Sequence, residues 1–92
     1  MDRHEALQLF LGNEYVSSDE NVSIVREDAD DFLVGFEYDQ YPRATGAVYF
    51  VSKQGFVHCE HVMDSWDKID AMIEIPVEEW ERVRQPVTRV AA

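Results

Sequence analysis

The stretch TGAVYFVSKQGFVHCEHV, residues 45–62, predicts a β-hairpin and decides the fold class. Residues 45–51 are apolar on both alternating faces, as in a central strand, and residues 55–62 follow after the short joint SKQ. Gly55 can adopt the positive φ that a tight turn requires. We therefore expect two consecutive antiparallel strands here.

The same period of two appears upstream of the hairpin. NVSIVRE (21–27) and FLVGFEY (32–38) alternate in a way that is typical of strands, and the acidic segment 27–31 is their predicted connection. Pro42 disfavours a central strand, so residues 39–44 are predicted to connect the second strand to the hairpin.

Helical patterns lie on either side of these strands. Residues 2–11 place apolar side chains on one stripe, and Gly12 supplies a helix stop. Residues 64–70 fit either a helical turn or a loop, and residues 71–75 are a candidate fifth strand. A proline then precedes VEEWERVR (77–84), which predicts a closing helix.

These elements predict an α+β fold in a single domain spanning residues 1–85. It comprises an N-terminal helix, a four- to five-stranded antiparallel meander sheet and a C-terminal helix packed on one face of that sheet. Residues 86–92 are predicted to be a flexible C-terminal tail.

The charge of the chain is strongly unbalanced. Nineteen acids and eight bases give a formal charge of −11 on 92 residues. A net charge of magnitude about 2–8 is enough to keep a small domain soluble. Such a charge repels phosphate backbones and anionic membranes and attracts cationic surfaces. It therefore argues against direct nucleic-acid or membrane binding. The alternative is that the acidity reflects a salt-adapted host proteome.

Two further features favour a cytoplasmic location. The single cysteine, Cys59, excludes an internal disulfide framework and fits a reducing compartment. The first 15 residues contain only a short apolar stretch flanked by acids, which does not match a signal peptide or a membrane span.

The segment FVHCEH (56–61) is rich in residue types that bind metals, but in a strand their side chains do not point towards one site. In a strand, His58 and Glu60 point to one side while Cys59 and His61 point to the other. A zinc site needs three or four ligands around one point, and a Cys–His nucleophile pair needs direct contact. We therefore predict no metal, no cofactor and no catalytic site. Cys59 is expected to be a small buried residue, and His58 a sheet-face or exposed one.

Two acidic series are candidate partner contacts. REDADD (26–31) is crowded with carboxylates but lacks the glycine of a calcium loop. The second series is Asp64, Asp67, Asp70 and Glu74, which would share one face if residues 64–74 were helical. Exposed aromatics within such acidic segments are typical of interface hot spots. The predicted contacts are Asp28, Asp30, Asp31, Asp39, Tyr41, Asp64, Trp66, Asp67 and Asp70.

No motif ties the chain to a family, so the functional hypothesis rests on size and charge. We expect a small, non-enzymatic acidic binding protein that acts as a stoichiometric inhibitor of a basic, nucleic-acid-handling partner by occluding its basic site. Immunity proteins against nuclease toxins and phage-encoded anti-restriction or anti-CRISPR proteins commonly have this size and charge. The alternatives are a small ligand-binding or regulatory module with a pocket between helix and sheet, and a homodimer formed through an exposed edge strand.

Overall fold

The computed structural model describes residues 1–13, 22–36 and 46–83, and it confirms the α+β class. The predicted connection 39–44 with Asp39 and Tyr41, and the predicted tail 86–92, lie outside the described residues. In chain order the elements are α1 (Arg3–Leu11), β1 (Val22–Glu27), β2 (Asp31–Phe36), β3 (Ala47–Ser52), β4 (Val57–His61), α2 (Val62–Ala71), β5 (Ile73–Glu74), a 3-10 turn (Val77–Glu79) and β6 (Glu81–Val83).

The predicted N-terminal helix is confirmed, with clear signals at both ends. Asp2 accepts a hydrogen bond from the Glu5 amide while the Glu5 side chain accepts one from the Asp2 amide, a reciprocal capping box. Gly12 forms the C-cap. The helix buries Ala6, Leu7 and Phe10 against the sheet.

All strand pairs in the described sheet are antiparallel, in the order β4-β3-β2-β1-β5, and β6 also pairs with β1. The meander from β1 to β4 is as predicted, and the predicted fifth strand is reduced to β5. After β4, α2 carries the chain back across the sheet, so that both β5 and β6 join β1. These two short strands pair with opposite ends of β1, where Glu74 lies opposite Arg26 and Val83 lies opposite Val22.

Hydrophobic cores lie on both faces of the sheet, because the central strands are apolar on both sides. In β2, Phe32 and Val34 join the core under α1, and Leu33 joins the core under α2. Trp80 packs against both cores, and its indole N–H donates to the Ile75 carbonyl at 2.8 Å. The core under α2 consists of Val25, Leu33, Val48, Phe50, Ile69 and Met72.

The predicted closing helix over residues 77–84 is wrong. That segment forms the 3-10 turn Val77–Glu79, an extended residue at Trp80 and then β6. The edge of β1 offers backbone hydrogen bonds to β6, and such pairing outweighs local helical propensity. The helix that packs across the sheet with β3 and β4 is α2, which contains the ambiguous segment 64–70.

Within the residues that the structure describes, none of the helices is both long enough and apolar enough to span a membrane.

The turn between β3 and β4 confirms the role predicted for Gly55. Its φ is +105°, and a Cβ built there would meet no heavy atom within 4 Å. Any cost of a side chain at this position therefore comes from the backbone conformation and not from a clash.

Replacing Gly55 with alanine should lower the free energy of unfolding by about 1–2 kcal/mol, because an L-residue is strained at this φ. The matched control is Gly12→Ala, where φ is −83° and the new Cβ would make only ordinary contacts. The control should change stability by less than about 0.5 kcal/mol in urea titrations. Equal losses in the two variants would contradict the prediction.

Candidate functional site

A polar cluster lies where α2 crosses the sheet, and we call it the Asp31 network. Its members are Asp28, Asp31, His58, Glu60 and Lys68. At its centre, Asp31 begins β2 with a side chain only 11% exposed. The Lys68 ammonium from α2 donates to Asp31 Oδ2 at 2.7 Å, and His58 Nε2 from β4 lies 3.1 Å from Asp31 Oδ1. One carboxylate thus connects β2, β4 and α2.

His58 is held between two carboxylates. Its Nδ1 lies 2.7 Å from Glu60 Oε2, on the opposite side of the ring from Asp31. The ring stacks on Phe50 with centroids 5.3 Å apart. Both ring nitrogens are thus engaged by carboxylates of this chain.

Asp28 closes the turn between β1 and β2. Its Oδ1 accepts hydrogen bonds from the amides of Asp30 and Asp31, both at 2.8 Å, and its Oδ2 lies 3.4 Å from Lys68 Nζ. Burial opposes ionisation of Asp28, but the two amides and the ammonium outweigh it and lower the pKa of the carboxyl. Burial likewise disfavours the Lys68 ammonium, but Asp31, followed by Asp28, raises its pKa.

The acids of the first series, all predicted as partner contacts, fall into two groups in the structure. Asp31 is buried and Asp28 is half-buried, and both are engaged inside the protein. We therefore assign them to the stability of the fold and do not retain them as partner contacts. Asp30 is exposed at the tip of the turn. The sequence held no local signal for this division, because Lys68 lies 37 positions from Asp31.

The second acidic series lies on α2 and faces solvent. Because α2 spans Val62–Ala71, Asp64, Asp67 and Asp70 share one side of the helix as predicted. Glu74, the fourth acid of the predicted series, lies in β5 instead. Large apolar side chains lie among them, since Met63 is 69% exposed and Trp66 is 40% exposed. We call the set the α2 outer face; it consists of Met63, Asp64, Trp66, Asp67 and Asp70.

Of the five Lys and Arg residues in the described ranges, four form ion pairs elsewhere, and Arg82 lies over the Trp80 ring at 5.0 Å from its centroid. Arg3 and Lys53 both contact Glu27, with nitrogen-to-oxygen distances of 2.6 and 3.7 Å. Arg26 lies 4.0 Å from Glu74, and Lys68 belongs to the Asp31 network. Within 1–13, 22–36 and 46–83, no ion pair neutralises an aspartate of the α2 outer face. These three carboxylates are also exposed to solvent.

Cys59 is exposed, so the prediction that it is buried is wrong. It lies on β4, the last strand in the described order. His58 and Glu60 do share one side of β4, as predicted. Among the described residues, no group of three or more His, Cys, Asp or Glu side chains is placed to hold a metal ion.

Two open clefts border the sheet. One of about 440 Å³ lies beside the start of α1, and its lining includes Arg3, His4 and Lys53. The other, of about 390 Å³, lies beside the turn that carries Asp30 and extends to Phe56. Both are lined by residues of mixed charge.

Comparisons with protein-family models, with curated proteins and with solved structures gave no match to this chain. The functional interpretation therefore depends on the geometry of the α2 outer face and of the Asp31 network that holds α2 in place.

The variant Asp31→Asn should lower the free energy of unfolding by about 2 kcal/mol, because it leaves the Lys68 ammonium without its closest counter-charge in a largely buried position. Asp30→Asn is the matched control, since it removes the neighbouring exposed carboxylate and keeps the backbone intact. It should change stability by less than about 0.5 kcal/mol. Urea denaturation of both variants tests this, and a control as unstable as Asp31→Asn would contradict it.

The loss of unfolding free energy at acid pH should depend in part on Asp28. Because the pKa of Asp28 is lowered in the folded protein, its contribution is complete above its ordinary value of 3.8 and is lost as the pH falls below that value. The stability difference between the wild type and Asp28→Asn should therefore shrink as the pH falls below 3.8. Urea titrations at several pH values measure this difference, and a constant gap down to the acid limit would refute the assignment.

Proposed function

We propose that the protein is a non-enzymatic, acidic inhibitor that binds a basic, nucleic-acid-handling protein through the α2 outer face. The observation that carries the proposal is that three exposed carboxylates (Asp64, Asp67 and Asp70), which form no ion pair within the described residues, share α2 with two exposed apolar side chains, Met63 and Trp66. The carboxylates would occupy positions in the partner that bind phosphates, which blocks access of the nucleic acid.

The electrostatics favour a protein partner over nucleic acid itself. A formal charge of −11 repels a phosphate backbone and attracts a cationic cleft. Complementary charge of this kind raises association rates by about 10–1000-fold at low salt. The uncompensated position of the three aspartates concentrates this attraction at α2, so the first encounter would orient that helix towards the partner.

The exposed apolar side chains would provide the affinity that exposed charges alone do not give. Exposed charge pairs contribute little net affinity, whereas a large aromatic side chain buried at an interface is a common hot spot. Trp66 and Met63 lie within one turn of each other on α2, between the acids. We assign the steering to the aspartates and the retention of the complex to these two side chains.

The Asp31 network supports this role from inside the protein. The ion pair of Lys68 with Asp31 and the burial of Val62 and Ile69 hold α2 on the sheet. A surface that is already ordered loses less conformational entropy when it binds. Asp30, which is exposed at the β1–β2 turn, stays a proposed secondary contact, as do Asp39 and Tyr41.

The test is inhibition of DNA cleavage by a panel of nucleases that represents the proposed classes: CRISPR effector nucleases, restriction endonucleases and nuclease toxins. We expect at least one of them to be inhibited with a 1:1 end point. For that enzyme, the triple variant Asp64→Asn, Asp67→Asn, Asp70→Asn should associate about 10-fold more slowly and with a weaker salt dependence.

A matched control separates the α2 outer face from net charge. The triple variant Glu74→Gln, Glu78→Gln, Glu79→Gln removes the same number of charges from exposed positions outside α2. It should keep most of the association rate of the wild type. Equal slowing by both triple variants would reject α2 as the contact face, and a panel with no inhibited member would reject the proposed inhibitor.

Trp66→Ala should change the dissociation rate of the complex and not its association rate. Because the proposed role of Trp66 is to fill an apolar contact, its truncation should raise the dissociation rate from the inhibited nuclease by about 10-fold or more and leave the association rate nearly unchanged. Leu9→Ala, in a similarly exposed apolar residue on α1, is the control. Surface plasmon resonance resolves the two rates, and a wild-type dissociation rate for Trp66→Ala would contradict its role.

A further inference from the structure

The second of the two clefts, which we call the Asp30 cleft, is lined by residues of the β1–β2 turn and of the β3–β4 turn. Its volume is about 390 Å³, which is within the range of small-molecule sites. A backbone hydrogen bond joins the two turns, because the Lys53 amide donates to the Asp30 carbonyl at 2.8 Å. This bond fixes the two walls of the cleft relative to each other.

Among the described residues that line the cleft, only Asp30 has a carboxylate that is free for a ligand. Asp31 also lines it, but Lys68 and His58 engage its two oxygens. The Asp30 side chain is exposed and forms no hydrogen bond or ion pair with any described residue. Its backbone is held by Asp28, whose Oδ1 accepts from the Asp30 amide. A cationic ligand can therefore reach Asp30 without displacing an internal partner.

The cation of the lining, Lys53, has its charge on the side of the other cleft. Its Nζ lies 3.7 Å from Glu27 Oε2 and 4.9 Å from the centroid of the Phe32 ring. Glu27 and Phe32 line the cleft beside α1. The Lys53 ammonium thus pairs with Glu27 and leaves the Asp30 carboxylate unpaired.

Phe56 adds an aromatic surface to the Asp30 cleft. It is 53% exposed, although it lies in an otherwise polar turn. Its ring meets the His58 ring at a tilt of 47°, with centroids 5.7 Å apart. Because this contact is tilted and covers only part of the ring, a ligand can stack on Phe56. Cationic groups are attracted to such ring faces, and guanidinium groups are the commonest example.

Ser52 supplies a hydrogen-bond donor to the same cleft. The residue is only 6% exposed, and its Oγ accepts a hydrogen bond from the Gln54 amide at 3.0 Å. A hydroxyl can also donate, but no acceptor for the Ser52 hydroxyl lies within the described part of the chain. Since largely buried donors normally have an acceptor, this hydroxyl is available to a ligand oxygen.

We propose that the Asp30 cleft binds an arginine residue of a protein partner. The guanidinium donates two hydrogen bonds to the Asp30 carboxylate and stacks on Phe56, while a main-chain carbonyl of the partner accepts from Ser52. A planar guanidinium can pair with a carboxylate and stack on a ring at the same time, whereas an ammonium offers only a point charge.

This inference gives a ligand to Asp30, which is so far only a secondary contact. It does not rest on the proposed inhibition, because no residue of the α2 outer face lines the Asp30 cleft. The tests below use small ligands and no nuclease. Their outcome and that of the inhibition assay are therefore separate.

The first test is an NMR titration of the wild-type protein with small ligands. N-acetyl-arginine amide, which reproduces an arginine residue within a chain, should shift the amide signals of residues 29–31 and 52–58 with a Kd on the order of 1 mM. The corresponding lysine amide and the uncharged citrulline amide should bind at least about 5-fold more weakly. Propylguanidine, which has no carbonyl group, should bind about 3-fold more weakly. Equal binding by any of these three ligands, or shifts confined to other residues, overturns the proposal.

The second test assigns the two side-chain contacts. Asp30→Asn removes the charge and keeps the backbone bonds of the turn, so it should raise the Kd for N-acetyl-arginine amide at least about 5-fold. Phe56→Leu keeps an apolar side chain without a ring face and should raise it about 3-fold. The matched control Glu78→Gln removes an exposed carboxylate outside the cleft and should change the Kd by less than about 1.5-fold. A wild-type Kd for Asp30→Asn, or the same increase in Glu78→Gln, would show that the ligand responds to net charge and not to this cleft.

Discussion

The ion pair between Lys68 and Asp31 is the contact on which the arrangement of this molecule depends. It links the middle of α2 to the first residue of β2, and the second oxygen of the same carboxylate faces His58 on β4. Three elements that are distant along the chain are thereby held at one largely buried point. Since a buried charge is costly without its counter-charge, this contact selects one position of α2 over the sheet.

That position determines which charges reach the surface. Asp31 and Asp28 hold Lys68 where α2 meets the sheet, while Asp64, Asp67 and Asp70 stay exposed on the same helix. Among the described bases outside α2, Arg3, Arg26 and Lys53 form ion pairs near α1 and β1. The helix thus carries three exposed carboxylates beside Trp66 and Met63, which is the combination that an occluding inhibitor of a cationic site would require.

The α2 outer face would act through side-chain charge and apolar burial, and salt would weaken its complexes. His61 links this helix to the sheet, because it ends β4 and also caps α2 with its side chain.

The sequence by itself determined the elements whose signals are local. The capped helix at residues 2–11, the alternation in β1 to β4 and the glycine turn at Gly55 each depend on neighbours within a few positions, and all were predictable. The concentration of acids in residues 64–70 was also visible, although its helical form was left open. Tertiary structure alone decided the rest. Residues 77–83 became a turn and a strand because β1 offered an edge, and Asp31 entered the interior because Lys68 reached it from 37 positions away. Each of these outcomes depends on a partner that only the folded chain brings within reach.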